Sequence, residues 1–277
     1  MYTLNCKGKL LIIEKPLVMG IINITANSFY QGYLLQDTAQ TVALASNMLQ
    51  AGASILDIGG QSTKPSSTRL SADEEIKRVV PIIVAIISKH PTAIISIDTY
   101  HSQVAIAAVA AGASIVNDIS AGDMDAAMLQ TVANLQVPFI CMHMQGTPAT
   151  MQQQPTYDNV TQNILDYFIA KIAACTKAGI HDVIIDPGFG FGKSIDHNFT
   201  LLKQLTLLKI LQKPILVGIS RKSMVYKILG TTAPQALNGT TVLHTIALLQ
   251  GANIIRVHDV QEAVEAIQLL QAYNIAT

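Results

Sequence analysis

Eight short apolar runs in this chain end on residues that can bind or carry charge. The first, Leu17 to Ile22, stops on Asn23. The second carries Asp57 into Gly59-Gly60-Gln61-Ser62-Thr63-Lys64-Pro65, and the third ends on Asp98. Asn117-Asp118, Cys141-Met142-His143 and Asp186-Pro187-Gly188 close the next three. The last two run into Gly218-Ile219-Ser220-Arg221-Lys222-Ser223 and Arg256-Val257-His258-Asp259. The chemistry is divided. Asn23, Asp98, Asn117 and Asp186 offer carboxylates and amides, which suit a flat heterocycle bearing N–H donors and ring acceptors. Arg221, Lys222, Arg256 and His258 offer cations, which suit phosphoryl oxygens. The residues therefore point to a planar, nitrogen-rich ligand that carries phosphate.

Two other patterns fail on spacing. Gly188-Phe189-Gly190-Phe191-Gly192-Lys193-Ser194 ends like a phosphate-binding loop, but the first glycine would have to stand where Pro187 is. It also lacks the spacing of a dinucleotide fingerprint. Cys141 and His143 share one face of a run, yet no further Cys or His stands at zinc spacing. A packed thiol and a hydrogen-bonded histidine are the expectation there.

The elements that must position these residues announce themselves through glycine. Gly52, Gly112, Gly179 and Gly251 each follow a stretch of helical periodicity and precede an apolar run. That is the pattern of a helix closed by a left-handed residue and turned directly into a buried strand. Strands are predicted at 18–23, 54–58, 94–98, 114–117, 138–142, 183–186, 214–219 and 253–257. Helices are predicted at 37–51, 72–89, 101–111, 124–135, 158–178, 197–211, 222–229 with 234–250, and 260–273. Ser71 with Glu74 reads as a capping box. Residues 1–14 read as a hairpin turning at Lys7-Gly8-Lys9 and closing the bottom of the fold. Eight βα units in 277 residues predict a (β/α)8 TIM barrel with an N-terminal β-hairpin, a single domain over 1–277. In such a barrel all eight polar strand ends meet at one mouth.

Composition agrees. Half the residues are hydrophobic and 13% are charged, so a large core is available. Trp is absent, and the core falls to Ala, Ile, Leu and Val, as in a parallel sheet covered by helices. Net charge is zero, which argues against nucleic acid or an anionic membrane surface as partner. The longest uncharged stretch, Thr99 to Asn117, holds too many polar groups for a membrane span. No signal peptide is evident. Cys6, Cys141 and Cys175 are odd in number and form no CxxC pair, so a reducing cytoplasm is the expected compartment.

The runs also carry a family resemblance over nearly the whole chain. GIINIT, DIGGQSTKP, SIDT, VNDIS, CMHMQGTP, DPGFGFGK, GISRKS and RVHDV occur in the order found in dihydropteroate synthases, and the chain resembles that family. The resemblance implies condensation of para-aminobenzoate with hydroxymethyl-dihydropterin diphosphate, with release of pyrophosphate and Mg2+ present. It implies that Asp98, Asn117, Asp186 and Lys222 bind the pterin and that Thr63, Arg256 and His258 bind diphosphate. Ser223 would receive the aminobenzoate carboxylate, with Phe29, Pro65 and Phe191 packing its ring. Asn23 would help hold Mg2+, and Lys222, Arg256, His258 and Asp98 would serve catalysis. A homodimer is the implied assembly.

The first two loops depart from the family pattern. The usual TPDSFSDGG becomes Thr25 to Tyr33, with Ala26 for proline and Asn27 and Gln31 for acids. In the second loop Gln61 and Lys64 stand where the family has Glu and Arg. Lysine lacks arginine's planar fork. Two alternatives follow: a pterin-binding homologue that no longer performs this condensation, and a methyltetrahydrofolate methyltransferase. The latter would leave the SRKS and RVH runs without a diphosphate to bind.

Overall fold

Four of the helix ends that lead into strands carry a glycine, at 52, 112, 179 and 251, that an L residue would replace only with strain. Gly112 ends one helix at φ 123° and Gly179 another at φ 93°. The residue after each donates back into the last turn of the helix, Ala113 N to Ala108 O and Ile180 N to Cys175 O, both at 2.9 Å. The chain then enters a strand at once. The structure, a computed structural model, describes residues 1–24, 34–61, 69–147, 150–151 and 155–276, with the side chains of 34–37 outside that description.

Two antiparallel strands, β1 (Tyr2–Cys6) and β2 (Lys9–Ile13), form the expected hairpin. Eight parallel strands follow: β3 (Leu17–Asn23), β4 (Ile55–Gly59), β5 (Ile95–Asp98), β6 (Ile115–Asp118), β7 (Phe139–Met142), β8 (Val183–Asp186), β9 (Leu216–Val217) and β10 (Ile254–Val257). Their order is β8-β7-β6-β5-β4-β3-β10-β9, and a parallel bridge between Ile185 and Ile215 closes the ring. Helices α1 (Leu34–Gln50), α2 (Ala72–Lys89), α3 (Ser102–Ala111), α4 (Met128–Leu135), α5 (Val160–Ala178), α6 (Ile195–Lys203), α7 (Ser223–Tyr226), α8 (Leu237–Leu249) and α9 (Val260–Ile275) lie between and after the strands.

The pleat sorts every strand into two sets, because successive side chains point to opposite faces. Val18, Leu56, Val116, Phe139, Val183, Val217 and Ile255 belong to the core shared with the helices. Leu17, Met19, Ile55, Ile115, Ile140, Ile184, Leu216 and Ile254 instead pack with Leu4, Cys6 and Ile13 of the hairpin. The hairpin is thus a plug for the barrel's lower end. It is tied there by Asn5 N to Asp182 Oδ2 at 2.6 Å and Lys7 Nζ to Val109 O at 2.6 Å.

Several boundaries differ from expectation for local reasons. β9 covers two residues rather than 214–219. Pro214 has no N–H to give a ladder, and the Ile215 amide goes to Asn253 Oδ1 at 2.9 Å. The helix expected at 197–211 divides at Gln204 into α6 and a 3-10 segment, Leu205–Leu211. Leu205 and Leu208 are both fully buried, and their three-residue spacing lines up in a 3-10 turn. α4 starts at Met128, not 124, since the Asp125 carboxylate accepts from Ala127 N at 3.0 Å and Ser102 N at 2.7 Å. The Ser71–Glu74 capping box is present on α2.

Because Leu4 is 2% exposed inside the plug, Leu4→Ala should destabilise the chain by about 2–5 kcal/mol. A urea melt checks this; a midpoint within error of the parent would mean that the plug does not support the barrel.

Candidate functional site

The mouth residues follow from the pleat. Two positions beyond the plug layer on each strand stand Asp57 (after Ile55), Asn117 (after Ile115), Met142 (after Ile140), Asp186 (after Ile184), Gly218 (after Leu216) and Arg256 (after Ile254). Asp98 pairs in register with both Gly59 and Asn117, which places it on the same inner rim. On four of these strands the position holds Asp57, Asn117, Asp186 or Arg256, so there the interior turns from apolar to polar directly above the plug.

Arg256 organises this level. Its Nε donates to Asp57 Oδ2 at 2.6 Å and its Nη2 to Asp98 Oδ2 at 2.7 Å. Asn117 Nδ2 donates to the same Asp57 oxygen at 3.1 Å, which leaves its carbonyl oxygen for another partner. Asp57 is fully buried, and its Oδ1 has no partner among the described residues. Burial opposes the charge on Arg256, but Asp57 and Asp98 outweigh it and hold the guanidinium above its ordinary pKa. Burial pushes Asp98 up to about 7, with Arg256 pulling it down. Asp186 is also raised by burial, against the pull of Lys222 and a 2.8 Å hydrogen bond from Gly188 N.

Lys222 reaches the same space from the loop after β9. Its Nζ donates to Phe189 O at 2.5 Å and lies 4.5 Å from the centre of the Phe191 ring. Burial pushes it down to about 8, with Asp186 opposing. Gly190 leaves room for it, since a Cβ there would stand 3.2 Å from Lys222 Cδ. His258 Nδ1 is 2.9 Å from Ser220 Oγ, and burial lowers its pKa, Arg256 adding to that. An apolar cluster of Tyr100, Ile119 and Met142, with Met124, Met144 and Phe191 against it, makes the adjoining wall. Carboxylates, an amide carbonyl and an ammonium beside an apolar wall can grip a flat heterocycle by its edge and its face.

The structure brings together Asp98, Asn117, Asp186, Lys222 and Arg256 through these contacts, with Phe191 and His258 beside them. Asn23 ends β3 with its side chain exposed, next to Gly59. Ser223 opens α7, a single turn, so the first amides and not a long helix dipole are what it can offer an anion. Thr63, Phe29 and Pro65 lie outside the described residues, as do Ala26, Asn27, Gln31 and Lys64. Gln61 is described; its Oε1 accepts from Leu70 N at 2.7 Å.

One reading needs correction. Arg221, counted among the phosphate cations, spends its fork on Asp259, with Nε to Oδ2 at 2.9 Å and Nη2 to Oδ1 at 2.7 Å. Its Nη1 goes to the carbonyls of Ala233 and Pro234, so it clips the loops after β9 and β10 together. Arg256, expected to bind diphosphate and to serve catalysis, has its Nε and Nη2 on Asp57 and Asp98. Asp57 was missed as a site residue. The available signal was a lone carboxylate inside the apolar run ILDIG, which burial permits only beside a cation. Cys141 and His143 behave as expected: the thiol lies 3.7 Å from Cys175 Sγ, and His143 Nδ1 lies 3.0 Å from Lys193 Nζ.

Residues 19–258 match the family model described as pterin binding enzyme. The chain is 42% identical over 271 residues to dihydropteroate synthase of Escherichia coli (strain K12), covering 97% of this chain and 95% of that one. Dihydropteroate synthase of Xanthomonas albilineans with 4-aminobenzoic acid superposes with a TM-score of 0.92 at 37% identity, covering 99% of each chain. The same organism's enzyme in complex with 7,8-dihydropteroate gives a TM-score of 0.89 at 35% identity, covering 100% of each.

Replacing Arg256 by methionine leaves Asp57 and Asp98 without their cation, so Arg256→Met should cost about 3–5 kcal/mol of stability. Carboxyl carbon NMR should also show the Asp98 midpoint rising above its value near 7, because Arg256 now holds it down. An unmoved Asp98 titration would mean that the ion pair does not set this carboxylate's charge.

Proposed function

The chain belongs to the pterin-binding enzyme family and, within it, to the dihydropteroate synthases, which are transferases; from that premise we propose that it joins para-aminobenzoate to hydroxymethyl-dihydropterin diphosphate and releases pyrophosphate. The observation that carries the reading is the rim on which Asp98, Asn117, Asp186 and Lys222 converge beside an apolar wall. Two of the similar structures hold 4-aminobenzoic acid and 7,8-dihydropteroate, one substrate and the product of this reaction.

In this reading the pterin slides edge-on into the rim. Asp98 and Asp186, ionised, accept from its ring N–H and exocyclic amine, and Lys222 donates to its carbonyl side. Arg256 neutralises the carboxylate pair beneath and, with His258 and Thr63, offers donors to the diphosphate. The C–O bond to diphosphate breaks, the pterin ring spreads the positive charge left on the methylene carbon, and the aniline nitrogen forms the new C–N bond and then loses a proton. No side chain need act as nucleophile. The chain's work is to orient the amine and to stabilise negative charge on the leaving group. Phe191, Phe29 and Pro65 pack the aminobenzoate ring, and the amides at Ser223 take its carboxylate.

Mg2+ fits this rim. Asn23 supplies one hard, neutral oxygen at an exposed strand end. Such a donor set suits an ion that keeps several waters and binds phosphate oxygens. Bound there, Mg2+ would offset charge on the departing diphosphate.

We also read the whole chain as one domain, in the cytoplasm, and as a homodimer. No helix among the described residues is long and apolar enough to cross a membrane, and Cys141 and Cys175 stand as thiols. The dimer reading is supported by an apolar face on α8 and α9, where Leu249, Leu269 and Tyr273 are exposed around a groove of about 840 Å³. Leu269→Glu should shift the species seen by light scattering from dimer to monomer; a parent chain already monomeric at micromolar concentration sinks this assembly.

The reaction is tested by pyrophosphate release from the pterin diphosphate and Mg2+, with and without para-aminobenzoate. Release that requires aminobenzoate and is lost in Lys222→Ala is expected. Pterin binding without release would instead select the non-catalytic reading that the altered first loops raise. The pH dependence follows from the charges. Pterin binding by calorimetry should strengthen as pH rises through about 7 and Asp98 ionises, and should weaken above about 8 as Lys222 loses its proton. A profile flat from pH 6 to 9 contradicts these roles, the window being set by those two groups.

A further inference from the structure

Lys193, the residue that makes the Gly188–Ser194 run look like a phosphate loop, is 3% exposed and faces no phosphate site. Its Nζ bonds to three acceptors: Gly188 O at 2.9 Å, His143 Nδ1 at 3.0 Å and Phe191 O at 3.1 Å, with His143 O more distant at 3.4 Å. Burial lowers the Lys193 pKa to about 7, with Asp186 opposing; in its protonated form the ammonium has three protons to give, and the three short contacts take them. His143 can accept because burial, and then Lys193 itself, keep its ring neutral. With Lys193 protonated, the proton of that ring is on Nε2.

The surrounding backbone is shaped for this contact. A Cβ on Gly188 would fall 1.9 Å from His143 O, and one on Gly192 would fall 2.4 Å from Gln145 O. The loop after β8 thus lies flat on the loop after β7, with Lys193 threaded between them. Tyr157 adds a bond from its hydroxyl to Gly192 O at 2.7 Å, and Gly190 N donates to Asn198 Oδ1 at 2.7 Å. What the clamped segment presents to the mouth is the Phe189 carbonyl and the Phe191 ring, the two groups that hold the Lys222 ammonium.

We infer that Lys193 is a positioning residue: with His143 as its acceptor, it pins the Gly188–Gly192 loop so that Phe189 O and Phe191 set Lys222 and one wall of the aminobenzoate site. The inference deepens the proposed function and rests on its roles for Lys222 and Phe191. Lys193 touches no substrate, and it acts through the loop.

The test is Lys193→Met, which keeps an unbranched chain and removes all three donors. Amide hydrogen exchange in residues 188–192 should quicken by at least about tenfold while the barrel strands keep their protection. The KM for aminobenzoate should rise by roughly tenfold or more, the scale of a small misplacement at a reacting pair. A merely destabilised variant would lower kcat with the fraction folded and leave KM unmoved. If Lys193→Met does not fold, Tyr157→Phe removes only the hydroxyl on Gly192 O and should move both readouts in the same direction by less. A folded variant with parental exchange at 188–192, or with parental KM, overturns the inference. The exchange measurement needs no turnover. Should the parent chain release no pyrophosphate, the reaction reading fails, and exchange alone decides on the clip.

Discussion

A guanidinium held between two carboxylates inside the barrel is the constraint on which the mouth depends. Arg256 reaches Asp57 at 2.6 Å and Asp98 at 2.7 Å, and Asp57 has no exposure to solvent. Burying these charges singly would cost far more than the fold could recover, so each requires the others. Their mutual attraction links β10 to β4 and β5, across β3. It also sets the electrostatic level at which the interior turns from a hydrocarbon plug to a binding surface. Asn117 is oriented by the same Asp57 oxygen, so the direction of this rim amide is set by a buried carboxylate.

From that layer outward, the groups act in opposed pairs. Asp98 is raised by burial and lowered by Arg256, and Lys222 is lowered by burial and raised by Asp186. Each charge lies close to the point at which it would be lost, which is where a bound ligand of complementary charge changes the balance most. The two loops beside this layer are held by other means. Arg221 clips the loops after β9 and β10 through Asp259, and Lys193 clips those after β7 and β8 through His143. Both cations serve backbone shape and not charge recognition. A basic residue near a phosphate-like motif is therefore weak evidence of a phosphate contact until its acceptors are known.

Much of the scaffold was legible in the sequence. The glycines at 52, 112, 179 and 251 marked helix ends, because a left-handed residue between a helical period and an apolar run stops the helix and starts a strand. Ser71 and Glu74 marked a helix start through reciprocal hydrogen bonds. The misreadings were of two kinds. Pro214 shortened β9 and Asp125 delayed α4, each because one backbone or side-chain group had a different partner from the one that local pattern suggests. Asp57 and Arg221 were misjudged because their meaning lies in a partner remote in the chain.

By itself the sequence determined the eight alternating units, the hairpin, the polar residues at the strand ends and the family to which they are similar. These are properties of neighbours: periodicity, caps and the order of short motifs act over a few residues. Tertiary structure alone decided which polar groups pair. Arg256 meets Asp98 from 158 positions away and Asp57 from 199. That meeting depends on the pairing of β10 with β3 and on a register that sends 57, 98 and 256 to the inner face. A one-residue slip would have turned the same side chains toward the helices. The pattern of types could name the chemistry of the mouth, but only the closed barrel could say which charges are spent on one another and which are left for a ligand.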